Sequence, residues 1–263
     1  MKFSLVIAAI LATFNLFAQD KQGQLFPSFD STRIYYEVSG NGYPVILVHG
    51  FTGTSRGWKR GTLYPALLKQ GYQVIILDQR GNGQSDKPHS DTAYANDAEA
   101  KDIMALATAL KLKSYDIIGY SRGSIITSRV MVTDKRVHKA VMGGMGADYT
   151  NPNWPRRIHA YKALMGDTSL HDVDEMMVWI GKNNFDNLSL ALQQKYQPST
   201  SPAELAKIKI PVLLIDGSED KTNGDVSILQ KFIPGAKYAE VPGDHNSAQN
   251  TKEFADAIIN FLK

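Results

Sequence analysis

The chain has no cysteine among its 263 residues. Disulfides and lipid attachment at an N-terminal cysteine are thereby excluded, and the fold must stand on its apolar core alone. A surplus of one charge sign is also missing. Lys and Arg number 29 against 26 Asp and Glu, a net +3 with both signs interspersed, so the sequence carries no nucleic-acid footprint. There is no internal repeat, no low-complexity stretch, and no Gly, Ser or Pro run long enough to be an interdomain linker. A composition of 43% hydrophobic and 21% charged residues argues against disorder and suits one large globular domain, with or without an insertion.

No apolar run reaches the roughly 20 residues that a membrane-spanning helix wants. The run from Phe3 to Phe17 follows Lys2 and contains small residues, the pattern of a secretory signal peptide over residues 1–18. Cleavage after Ala18 would start a polar mature N-terminus at Gln19-Asp20-Lys21-Gln22, although Leu16 is larger than the small residue usual at that position. An uncleaved anchor is the alternative. The expectation is an exported protein, periplasmic or secreted, with no stable membrane insertion once the leader is removed.

Beyond the leader, strand-like and helix-like segments alternate. Arg33 to Val38 reads as a half-exposed strand, and Val45-Ile46-Leu47-Val48 as a strand buried on both faces. Further strands are expected at Val74 to Leu77, Tyr115 to Ile118, Val137 to Met142, Val212 to Ile215 and Tyr238 to Val241. Helical patterns occupy Trp58 to Gln70, Ala93 to Leu110, Ser124 to Thr133 and Thr251 to Leu262. Strands separated by helix-length segments predict right-handed crossovers, hence an α/β fold with a doubly wound, mostly parallel sheet. Active sites of such sheets gather at the carboxyl ends of the strands. Between about 148 and 201 the rhythm breaks into three helix-like stretches, Trp154 to Met165, Leu170 to Gly181 and Leu188 to Tyr196. This insertion is expected to form a helical cap over the sheet edge.

The most informative segment is Gly119-Tyr120-Ser121-Arg122-Gly123, directly after the Tyr115 strand. A bare G-x-S-x-G arises by chance about once in ten chains of this length, so its context has to carry the reading. After a strand and before a helix, the pattern becomes a sharp turn that exposes a serine, with glycines on either side allowing close approach. A serine hydroxyl is a poor nucleophile at neutral pH and needs a base, which in turn needs an acid to orient it. His245, in the glycine-containing turn after the last strand, is the candidate base. Asp220, after the Val212 strand, is the candidate acid, with Glu219 and Asp148 as rivals and Asp216 read as structural. The order Ser, Asp, His is the one used on this type of turn. Oxyanion donors are expected from the backbone amides of Arg122 and of Phe51, which follows His49-Gly50 after the first buried strand. His49 itself reads as a loop brace.

Taken together, these residues resemble the α/β-hydrolase superfamily, in particular its small, capped bacterial esterase-like and haloperoxidase-like members. The resemblance rests on His49-Gly50-Phe51, Asp78 to Asp86, the Gly119 to Gly123 elbow, Ile210-Pro211-Val212 leading to Gly217 and Asp220, and Gly243 with His245, and spans about residues 30–263. It implies a Ser121, His245, Asp220 triad, a Phe51 and Arg122 oxyanion hole, and bracing by the Asp78 to Ser85 turn. Two positions depart from the group's habit. Ser124 stands where a second glycine is common, and Arg122 places a cation beside the nucleophile. That cation could meet a cap acid or an acidic substrate, or form a salt bridge to Asp148 or Asp78. Cap aromatics, of which Trp154 and Trp179 are the substrate-binding candidates, suggest an apolar acyl or aryl portion. The expected function is a serine hydrolase that cleaves a small-molecule carboxylic ester or related acyl bond without metal or cofactor. A carbon–carbon bond hydrolase of the same fold and a slow-turnover binding protein are the alternatives.

Overall fold

The computed structural model describes residues 21–263. The leader expected over residues 1–18 lies outside the described residues. Eight strands form one sheet: β1 (Lys21–Pro27), β2 (Arg33–Ser39), β3 (Pro44–Val48), β4 (Gln73–Leu77), β5 (Tyr115–Tyr120), β6 (Val137–Gly143), β7 (Val212–Gly217) and β8 (Lys237–Val241). Their spatial order is β1-β2-β4-β3-β5-β6-β7-β8. The β1–β2 and β2–β4 pairs are antiparallel, and every pair from β4 to β8 is parallel. This is the doubly wound, mostly parallel sheet that the alternation of segments predicts.

Alternation within each strand explains the layers. In β3, Val45 and Leu47 face one side and pack with Trp58, Leu63 and Leu67 of α1 (Ser55–Arg60) and α2 (Leu63–Lys69). Ile46 and Val48 face the other side, toward Ile103 and Leu106 of α3 (Ala98–Ala109) and Ile125 and Val130 of α4 (Arg122–Thr133). Later elements complete both layers. The short α8 (Pro202–Leu205) and α9 (Val226–Phe232) join the second, and α10 (Lys252–Leu262) joins the first through Phe254, Ile258 and Leu262. Thr251 caps α10, its hydroxyl accepting from the Phe254 amide at 3.2 Å.

Between β6 and β7 lie α5 (Pro155–Leu164), α6 (Asp174–Lys182) and α7 (Asn187–Lys195). They share a small core of Leu164, Ile180, Leu190 and Ala191, against which Phe51, Tyr161, Met176, Met177 and Phe185 pack. Gln193 on α7 anchors them to the sheet's carboxyl edge, donating to the Arg80 carbonyl at 2.7 Å and to Asn82 Oδ1 at 2.6 Å.

Several boundaries differ from the sequence reading for local reasons. The single helix expected from Trp58 to Gln70 is two, interrupted at Gly61. The helix expected from Ala93 begins at Ala98, because Asn96 and Asp97 adopt left-handed backbone conformations, with φ of 58° and 60°. The stretch from Leu170 opens as a 3₁₀ turn over His171–Val173 before α6 begins. Strand β1 has no counterpart in the reading: it is an edge strand with an irregular register between Lys21 and Gln24, and lacks a buried apolar stripe.

Candidate active site

Strand β5 hands over to α4 within one residue. Ser121 sits at φ 55°, ψ −126°, a conformation that costs a non-glycine residue free energy and persists only where its surroundings enforce it. The enforcement is visible. A Cβ added to Gly119 would collide with the Gly123 carbonyl, and one on Gly123 with the Val48 carbonyl, so only glycine fits at either place. The Ser121 amide donates to the Gly143 carbonyl at 2.7 Å. Ser124, where a glycine is commoner, instead places its hydroxyl 3.0 Å from the Gly119 carbonyl and 2.8 Å from that of Gly143, tying the start of α4 to β5 and β6.

Loops after β7 and β8 bring the other two predicted side chains to this turn. His245 Nε2 lies 2.9 Å from Ser121 Oγ, and His245 Nδ1 lies 2.6 Å from Asp220 Oδ2. Since the carboxylate can only accept, Nδ1 carries the proton and Nε2 is left to accept from the serine hydroxyl. The Thr222 amide donates to Asp220 Oδ1 at 2.9 Å and fixes the carboxylate's rotation. Burial acts to raise the pKa of Asp220, but the His245 hydrogen bond and charge and the Thr222 amide outweigh it and hold the group below its ordinary value. The rivals lie elsewhere: Glu219 and Asp148 are both exposed, and neither bonds to His245 among the described residues.

The loop after β3 approaches the nucleophile closely. A Cβ built on Gly50 would lie 3.2 Å from Ser121 Cβ and 3.7 Å from its Oγ. Glycine at this position therefore lets the backbone leading to Phe51 pass over the serine. Neither the Phe51 nor the Arg122 amide has a backbone acceptor among the described residues, so both donors remain free. His49 holds the loop, its Nδ1–H donating to the Gly50 carbonyl at 2.7 Å while Nε2 accepts from the Gln79 amide at 3.0 Å. Burial pushes the His49 pKa down and keeps the ring neutral, as this donor-acceptor pairing requires. The turn after β4 braces in the same manner, with Asp78 accepting from the Ser55 amide at 2.6 Å and the Gln84 amide at 2.8 Å.

A cavity of about 520 Å³ opens above Ser121, walled by the Gly50–Thr54 loop, α1, α5 and the His245 loop. Trp154 lines it and is buried. Trp179 does not: it is 54% exposed on the outer face of α6, about 100° round the helix from the inward Ile180. Met176, one turn before Ile180, occupies the place on the cavity wall that the sequence reading gave to Trp179.

Arg122 also differs from expectation. Its guanidinium meets neither Asp148, Asp78 nor a cap acid. It makes a two-pronged pair with Glu99 of α3, Nη1 and Nη2 donating to Oε1 at 2.6 Å and Oε2 at 2.5 Å. Nη2 also donates to the Gln193 carbonyl of α7 at 2.9 Å, and the cation lies 6.0 Å from the Phe51 ring centroid. The side chain therefore ties the elbow, α3 and α7 together behind the cavity. Three further residues went unnoticed in the sequence. Tyr120 donates from its hydroxyl to the His245 carbonyl at 2.8 Å, with its ring 5.5 Å from the imidazole. Asn223 Nδ2 donates to the Gly144 carbonyl at 3.1 Å and stands 3.4 Å from His245 Nε2. Trp58, on the cavity wall, has a buried indole N–H with no acceptor among the described residues.

Asp216, at the end of β7, is pushed up to about 7 by burial and then by the neighbouring Asp220 carboxylate, and its Oδ1 is buried without a partner among the described residues. Its folded-state pKa lies above the unfolded value, so between about pH 4 and pH 7 the unfolded chain releases a proton that the folded chain keeps. The native state accordingly loses stability from this group as pH rises through that window. Asp216→Asn removes the loss. In thermal melts, the Tm of the variant minus that of the unmodified protein should increase between about pH 4 and pH 8. A difference that stays flat with pH would exclude this ionisation.

A strained serine turn hydrogen-bonded to a histidine and through it to a buried acid, with two free amides beside it on a mostly parallel sheet, is the arrangement of the α/β-hydrolase fold. Sequence and structure comparisons agree with this. The pattern of the alpha/beta hydrolase fold family matches residues 43–158. A Synechocystis protein named for non-heme chloroperoxidase is 39% identical over 111 residues, 41% of this chain and 39% of that protein, so the match takes in about two-fifths of the relative's length. A Bacillus subtilis protein of the AB hydrolase superfamily is 25% identical over 271 residues, covering 90% of this chain and 97% of its own. The esterase of Exiguobacterium antarcticum superposes with a TM-score of 0.76 at 20% identity, covering 92% of this chain and 99% of that one. The chain has the α/β-hydrolase fold, and its match to that family's pattern lies in residues 43–158.

Proposed function

We propose that the protein is a serine hydrolase that cleaves a carboxylic ester or a related acyl bond through an acyl-enzyme. The observation that carries this reading is the continuous chain from Asp220 through His245 to Ser121, which ends at a hydroxyl facing the cavity. Ser121 Oγ attacks the acyl carbon as His245 Nε2 takes its proton, and Asp220 stabilises the imidazolium that forms. The carbonyl oxygen becomes an oxyanion that the free amides of Phe51 and Arg122 receive, each such donor lowering the barrier by about 3 kcal/mol. His245 then gives its proton to the leaving group. Water, deprotonated by the same histidine, attacks the acyl-enzyme and releases the acid. Tyr120 and Asn223 support the reading, since they hold His245 from the carbonyl side and beside Nε2.

A fluorophosphonate probe tests the proposal directly. One equivalent of label at Ser121, absent from Ser121→Ala, is the expected result. Folded protein that takes up no label would overturn it.

A further inference from the structure

The cavity above Ser121 has an unbalanced set of charges. Arg60, Arg122, Arg156 and Arg157 all line it, and among the described residues no aspartate or glutamate does. Glu99 neutralises Arg122 from behind the elbow. Arg157 is half-buried and donates to the uncharged carbonyls of Pro152, Gln194 and Lys195. Arg156 is half-buried too, and forms no ion pair among the described residues. The carboxylate of Asp172 feels its charge, but is bonded at 2.9 Å to His159 instead. Consecutive arginines in the first turn of α5 add to the positive end of that helix. In a concave site, such a set of cations focuses positive potential and is left undercompensated unless a ligand supplies the anion.

Resting on the acyl-transfer reading, we infer that the substrate carries a carboxylate away from its scissile bond, and that Arg156 pairs with this group on the cap side of the cavity. The planar guanidinium fork matches the two carboxylate oxygens, and a charge-assisted pair out of bulk water is stronger than a neutral hydrogen bond. Arg157, held rigidly by three carbonyls, adds to the field behind it. Arg60 sits exposed on the same lining and steers the anion inward.

Paired esters of equal acyl length test this: para-nitrophenyl hemiglutarate against para-nitrophenyl pentanoate. The hemiglutarate should be preferred in kcat/KM by about tenfold or more, mostly through KM. The preference should shrink as salt rises from about 0.02 to 0.5 M. Arg156→Gln should bring the ratio to about one, Arg156→Lys should keep part of it, and Lys237→Gln, on the exposed face of β8, should leave it as in the unmodified protein. A ratio at or below one before mutation, or one unmoved by Arg156→Gln, overturns the anionic site while acyl hydrolysis stands. A second measurement is independent of turnover. Glutarate should raise the Tm of Ser121→Ala more than pentanamide does, and Arg156→Gln in that background should remove the difference. Equal shifts with both compounds overturn the site. A glutarate-specific shift with neither ester cleaved retains it and removes the ester reading.

Discussion

Alanine at His245 is expected to lower kcat for a cleavable acyl ester by about 10⁴- to 10⁶-fold, with KM changed little. The serine hydroxyl is too weak an acid to attack at neutral pH, and among the described residues the base bonded to it is the imidazole 2.9 Å away. Removing the ring also leaves Asp220 with nothing to orient, since its Oδ2 meets His245 and its Oδ1 only the Thr222 amide. Ser121→Ala should lose about as much. The double variant should be little worse than either, because groups that act as a unit do not contribute additively. Residual activity would come from the Phe51 and Arg122 amides and from binding, neither of which these substitutions touch. Steady-state rates on an activated ester, with circular dichroism to confirm folding, check the expectation. Should His245→Ala stay within about 100-fold of the unmodified protein, or should the two losses multiply, the base is some other group.

The parts of the site that could be read from the sequence are those where chemistry restricts the residue type and the fold restricts the place. Ser121 needs glycines two positions to either side, and a base and an acid must come from loops after later strands. His245 and Asp220 meet both conditions. The two free amides, of Phe51 and Arg122, follow from the same loop logic, because backbone donors do not depend on side-chain identity. What escaped the sequence depends on phase and on partners distant in the chain. Trp179 differs from Ile180 by one position, yet that rotates it by about 100° and out of the cavity. Glu99 lies within a helical pattern that gives no sign of a buried partner, and only the packing of α3 against α4 brings it to Arg122. Tyr120 looks like one more apolar strand residue until its hydroxyl is seen on the His245 carbonyl. Strand β1 has no buried stripe to announce it, being held by backbone pairing with β2.

Replacing Arg122 with methionine is expected to destabilise the fold by about 3–5 kcal/mol. The pair with Glu99 is almost wholly buried, at 4% and 3% side-chain exposure, and both Glu99 oxygens take their hydrogen bonds from this guanidinium. Methionine fills similar space but leaves a carboxylate without a partner in the interior, where its desolvation is no longer offset. The link to the Gln193 carbonyl goes with it, which loosens α7 over the cavity. Because the amide of residue 122 survives the substitution, kcat should fall far less than in His245→Ala, and KM should rise as the cap wall loosens. Glu99→Leu in the same chain should restore much of the lost stability, since an apolar pair can replace a buried ionic one at little net change. Urea unfolding of both single variants and of the double variant measures the coupling. Single losses that simply add in the double variant would mean that the two charges do not stabilise each other. The cation beside the nucleophile would then have to be explained by contact with substrate rather than by its role behind the elbow.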